Sequence, residues 1–515
     1  MHRHTSLLFL LVALVALSVA TWSGCATMNT DGKSPIASTS ESATAANTTT
    51  ASSTGKLPVT SPSADAKKEF LQGRDLAERL LAQDSIQHFD KAISLDPNFA
   101  YAELGRANAA QSAKEFFDHL KKAVSLQDKA SEGERLLILA TEAGANGNVT
   151  KQKEYLDKLV AAYPNEERAH FNLGGYYFGQ QDYTQAIEQY KKANELAPNY
   201  SPAYNILGYA YKQNGDYANA EQAFRKYIEL IPNDPNPYDS YGELLLKMGK
   251  YEDSMTQYRK ALSIDSNFIN SHFAISAALM YLGKPDEAKA ELQKITEKAR
   301  SDNERRTALF GMAVVDVDSG KLDRALEDID KEYAVALKIN DVAAMTADLQ
   351  TKATIMLEAG KYAEAKDVFE RILKLTEGST LSQEIKDNTK LFHHYNLATV
   401  ALGMKDYKTA KAEAEEFRKW AETSKNPAQV RQSHQLAGMI ALAEKDYDKA
   451  ITELQQTGQQ NPQNFYRLAQ AYQGKGDNAK AKEFNAKAAG FNSLPQLNYA
   501  FIRTKAQKMA ADTKA

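Results

Sequence analysis

Nine histidines are the first residues to weigh. Imidazole is the commonest metal ligand and the side chain whose charge changes nearest neutrality. His393 and His394 are adjacent, and on a helix neighbours point roughly 100° apart, so these two cannot close on one metal. Asp316, Asp318 and Glu327 offer carboxylates in a spacing that partly fits a calcium loop. Gly320 and Lys321 stand where that loop needs an oxygen ligand and a glycine, which breaks it. Gly474-Lys475-Gly476-Asp477 has glycines and a lysine but no Ser or Thr after the lysine, as a phosphate-binding loop requires. There is no His-Glu-x-x-His run and no Gly-x-Ser-x-Gly elbow. A lone cysteine, Cys25, excludes an intrachain disulfide and a zinc site built on thiolates. The residue types that do chemistry are present, but their spacing reads as no enzyme, no metal and no cofactor.

The other bulk features narrow the class. The chain has 515 residues and a formal net charge of -3, with no dense basic block. Nucleic acid is therefore excluded as a partner, because phosphate neutralisation needs clustered Lys and Arg. The start, Met1 to His4, is basic, and an apolar run follows from Leu7 to Ala20. That run is shorter than the roughly 20 residues a spanning helix needs, but it fits the core of a signal peptide over residues 1–24. Trp22-Ser23-Gly24-Cys25-Ala26 resembles a bacterial lipobox, although Trp22 replaces the usual Leu-like residue. The resemblance implies a lipidated Cys25 as the mature N-terminus. With Ala26 and no Asp after the cysteine, it also implies an outer-membrane lipoprotein facing the periplasm of a bacterial envelope. The other reading is cleavage after Ala20, which leaves a secreted or periplasmic protein with a free thiol. Residues 25–65 are rich in Ser, Thr and Ala and lack apolar periodicity, so they are expected to form a disordered tether.

What positions everything else is a repeat. LGGYYFGQQDYTQAIEQYKKANELAPN at 173–199 returns as LGYAYKQNGDYANAEQAFRKYIELIPN at 207–233. Leu173 and Tyr177 share one helix face, and Gly174 allows a close neighbour. Asp182 is placed to cap the next helix. Ala186, Tyr190 and Ala193 stripe that second helix, and Pro198 ends it. Two such helices cannot bury both apolar faces alone, so the units must stack. Further units begin at 66, 133 and 235. They carry Gly73, Phe89, Ala92 and Pro97; then Leu139, Ala140, Gly147 and Pro164; then Gly242, Gly249, Tyr251, Tyr258 and Ala261. This order resembles the tetratricopeptide repeat. The resemblance implies an all-α fold: an α-solenoid, wound as a right-handed superhelix, of about twelve helix–turn–helix repeats. A regular array is expected over 66–300. Over 301–495 the turn positions Leu322, Tyr362, Tyr407 and Tyr447 stretch the period to about 40. Residues 496–515 should form a capping helix and tail. In this register His170, His272, His394 and His434 all fall on the fourth position of a unit, which other units fill with Leu136, Tyr204, Tyr238 or Leu309. The slot reads as packing.

The resemblance also locates a binding face, since the first helices of such repeats line a concave groove. Carried onto this chain, the groove residues are Arg168, Phe171, Phe178, Asn205, Tyr209, Lys212, Asp239, Glu243 and Phe273. Aromatic area mixed with polar groups suits peptide recognition. The implied function is a scaffold that binds protein or peptide partners and is tied to a membrane by a lipid anchor. The alternative is a carrier for an extended peptide or glycan.

Overall fold

The computed structural model describes residues 55–110, 113–146, 148–299, 301–381, 383–424, 426–458 and 461–512. The signal segment, Cys25 and most of the expected tether lie outside the described residues. Among the described residues every regular element is helical, and the helices come in pairs.

Contacts divide the chain between Pro232 and Asn233. The first unit holds five pairs: α1 (Ala64–Glu78) with α2 (Ala82–Leu95), α3 (Ala100–Asn108) with α4 (Ala113–Ser125), α5 (Glu132–Ala145) with α6 (Val149–Ala162), α7 (Glu167–Gly179) with α8 (Tyr183–Leu196), and α9 (Ser201–Gln213) with α10 (Tyr217–Leu230). The second unit holds seven: α11 (Asn236–Lys247) with α12 (Tyr251–Ile264), α13 (Ile269–Tyr281) with α14 (Pro285–Lys298), α15 (Asp302–Asp318) with α16 (Leu322–Lys338), α17 (Val342–Glu358) with α18 (Tyr362–Glu377), α19 (Gln383–Gly403) with α20 (Tyr407–Ser424), α21 (Pro427–Ala443) with α22 (Tyr447–Gln455), and α23 (Pro462–Lys475) with α24 (Asn478–Ala489). Twelve pairs match the count read from the sequence. The longer period after residue 300 arises in the helices. α15, α16 and α17 each run 17 residues, whereas α13 and α14 run 13 and 14.

Local chemistry explains each hairpin. Asp182, Asp216, Asp446 and Asp477 accept a hydrogen bond from the backbone N–H three residues on, at 3.1–3.2 Å. This satisfies a donor that the helix start leaves open. The residue just before the second helix's N-cap lies in the left-handed region, with φ of 81° at Gly215 and 76° at Gly249. Gln181, Lys405 and Lys445 hold the same place at 62–65° without glycine's freedom. Close packing explains the glycine of the first helix. A Cβ on Gly208 would lie 2.7–2.8 Å from the ring of Phe224, which is fully buried. That glycine therefore sets how near the two helices come, and Gly208→Ala would overpack the pair.

Two parts differ from expectation. Ordered chain begins before residue 65: residues 56–61 run without regular structure against the first unit and are held there by side chains of later helices. The capping helix is broken in two, α25 (Leu497–Ala500) and α26 (Arg503–Asp512), after an irregular stretch.

Candidate interaction surfaces

Six of the described histidines pair with an acid or amide side chain. His170 Nδ1 lies 2.8 Å from Gln189 Oε1, and His272, His394 and His434 lie 2.5–2.7 Å from Glu291, Glu413 and Glu453. Every partner is 19 residues on, so the bond joins the first helix of a repeat to its second. The first repeat inverts the pair, with Glu69 in the fourth slot and His88 19 residues later, 2.7 Å apart. The slot is thus a polar clamp within a repeat, more than the flat packing position expected. At Glu291 burial raises the carboxyl's pKa, but bonds from His272 and Lys294 outweigh it and leave the net shift downward. Among the described residues no group of three His, Cys, Asp or Glu is placed to hold a metal. The carboxylates of the broken calcium loop are taken by cations: Asp316 by Lys289 at 2.5 Å and Asp318 by Arg503.

In the first unit the expected groove residues are largely committed to the stack. Arg168 donates to both oxygens of Glu78 at 2.6 and 2.9 Å, bonds Glu167, and lies 5.0 Å over the Tyr200 ring. Phe171 packs 5.7 Å from Tyr190 and 5.6 Å from Tyr200. Phe178 is buried, edge-on to Tyr183. Asn205 is buried, and its Oδ1 has no hydrogen-bond partner. Lys212 lies 4.3 Å over Tyr209, which packs edge-on against Phe224. Phe178 is therefore corrected from groove to core, whereas Phe171 is half-buried against Tyr190 and Tyr200. In the second unit Asp239 is buried and accepts from Ser271 Oγ at 2.6 Å, while Glu243 and Phe273 stay half-buried.

Each unit also holds a length of its own chain. On the first, Glu166 Oε2 accepts from the Leu57 N–H at 3.0 Å and Glu134 Oε1 from the Thr60 N–H at 2.7 Å. Lys56 bonds Glu167, and Ser61 donates to Asp96 at 2.5 Å. Two of these bonds read the peptide backbone, which any sequence offers.

On the second unit, residues 491–505 run back over the ends of several first helices. Lys247 donates to the Phe491 carbonyl and lies 3.9 Å over its ring. Tyr251 donates to Asn492 Oδ1 at 2.9 Å, and Tyr281 to the Ser493 carbonyl. Tyr499 stacks edge-on to Tyr281 at 5.6 Å and meets Phe491 at 5.8 Å. Arg503 grips Asp318 with two bonds of 2.6 and 2.5 Å, and Lys505 pairs with Glu358. Burial, then the neighbouring Tyr499, holds the Tyr281 phenol well above its ordinary pKa. The repeat register assigned Tyr251 to the core and Asp318 to a failed metal loop, and it gave no sign of this strip.

A third cluster lies between α15, α16 and α17. Arg306 reaches Asp348 at 2.6 Å and Glu332 at 3.4 Å, and all three are largely buried. Arg306 Nε has no hydrogen-bond partner, and the Glu332 and Asp348 carboxyls are hydrogen-bonded to each other. Burial and the adjacent Asp348 charge push the Glu332 carboxyl far up.

Family comparisons agree with the hairpins. Tetratricopeptide repeat families match residues 167–200, 201–234 and 462–492, and a TPR repeat family matches 242–283. The chain therefore contains tetratricopeptide repeats, and its fold is an all-α solenoid of them. No curated protein matches. Similar solved structures include the MamA protein, 26% identical over 32% of this chain and 91% of that one, with a TM-score of 0.28. A tetratricopeptide repeat protein from Parabacteroides merdae is 17% identical over 50% and 99%, at 0.36. Yeast Tom70 is 16% identical over 72% and 95%, at 0.45.

Proposed function

We propose that this chain is a non-enzymatic scaffold that binds protein partners along the faces of its stacked helix pairs, and that Cys25 ties it to a bacterial envelope membrane. Tetratricopeptide repeats typically bind protein partners, which supports the first part. The observation that carries it furthest is the stretch 56–61 seated on the first unit. Carboxylates from two successive repeats there accept from peptide N–H groups, the contact an extended partner would make. Burial of Phe178 makes it an unsuitable probe, because its loss would disturb the core. Tyr209, half-buried on a first helix of the first unit, is a better one.

Cross-linked pull-down from the source cells tests the reading. Tyr209→Ala should deplete the recovered partners several-fold while circular dichroism stays unchanged. The same partners at the same yield would sink binding through this face.

A further inference from the structure

We propose that Lys247, Tyr251, Tyr281, Asp318 and Glu358 form a peptide-binding strip on the second unit, that residues 491–505 are its resident occupant, and that it receives from a partner a segment of the same chemistry. That segment carries two aromatic residues eight apart and an arginine four further on, in the order of Phe491, Tyr499 and Arg503. The strip's residues all lie on the second unit, and its test uses no residue that probes the face of the first unit.

The strip has the two components a peptide reader needs. Lys247 and Tyr281 donate to the carbonyls of Phe491 and Ser493, and those contacts depend on backbone alone. Selectivity comes from side chains. Tyr281 takes an aromatic ring against its own, and Asp318 takes a guanidinium through two parallel bonds. A fork of that kind accepts arginine far better than lysine. Asp318 is buried with the tail in place, and its carboxylate loses both guanidinium bonds when the tail leaves; a second arginine-bearing segment would restore them.

The occupant can leave without unfolding a repeat, although its release uncovers Tyr499, Phe501 and Ile502, which are buried, so a partner segment must cover the same surface. The occupant follows the last helix pair, and all twelve pairs are complete before Gly490. Its release breaks no hairpin. The outermost ion pair, Lys505 with Glu358, is exposed and contributes little. The tail therefore acts as a tethered competitor: a partner segment must displace chain held at high effective concentration.

A fluorescein-labelled synthetic peptide with the sequence of residues 490–505 is the probe, read by anisotropy against the full chain. Arg503→Glu sets like charges against Asp318 and should free the strip, so the variant should bind the probe at least tenfold more tightly than the unaltered chain. Adding Asp318→Arg should abolish that gain. A folded Arg503→Glu chain that binds no better than the unaltered one would overturn the proposal and make the tail a permanent closure. Should the variant lose helicity, hydrogen exchange of the unaltered chain decides. Excess probe should speed exchange over residues 497–512, and an unchanged rate would overturn the proposal as firmly.

Discussion

Glu332 sits where a carboxylate is hard to charge. Burial raises its pKa first and the adjacent Asp348 raises it further, while Arg306 opposes both. An acid whose folded pKa lies above its unfolded value near 4.3 keeps a proton that the unfolded chain has already released. The folded state then binds more protons, so stability falls as pH rises from about 4.3 until Glu332 itself ionises. Glu332→Gln keeps the shape and removes the titration. Thermal unfolding followed from pH 5 to pH 8 should decline less steeply in Glu332→Gln than in the unaltered chain. Parallel slopes would mean that Glu332 is charged throughout.

Within the repeat, the polar clamp behaves as a relation between two places. His434 and Glu453 sit 2.7 Å apart, and Glu69 and His88 hold the same bond with the residues exchanged. Each single exchange, His434→Glu or Glu453→His, should cost about 1 kcal/mol by setting like groups face to face. The double exchange should restore stability to within about 0.5 kcal/mol, as a denaturant midpoint would show. Much at this scale was legible beforehand. Asp182 as a cap, Gly174 as a close-approach site and the alanines of the second helices depend on spacings of a few residues, which the chain states directly. The clamp was legible too, because its partner stands 19 places on in five repeats and 16 in the second, where His119 meets Glu103, but the histidines were read as packing alone. The groove was less legible. Phe171 occupies a groove position of the family, yet Tyr190 and Tyr200 lie within reach, and an aromatic ring gains more by burial between them than by facing water. The strip that holds residues 491–505 was invisible, since Lys247 and Phe491 stand 244 residues apart with no period linking them.

For the molecule as a whole, attachment is the property the proposed function depends on. Cys25→Ser should release the chain from membranes into the soluble fraction, whereas retention of the variant would sink lipidation as the anchor. The contacts of residues 491–505 bear on something else, the way the second unit comes apart. A plain stack of repeats touches only nearest neighbours and frays inward from either end. Here Lys247, at the end of the first helix of the unit, is bonded to Phe491, beyond the last helix pair. Closing a loop of that size adds little extra entropy cost, because the cost grows only with the logarithm of length. Neither end of the second unit is then a free starting point for unravelling, and loosening one repeat also strains the contacts of its far terminus. The seven pairs should melt in a single cooperative step, where an open stack of equal length would lose its end repeats first.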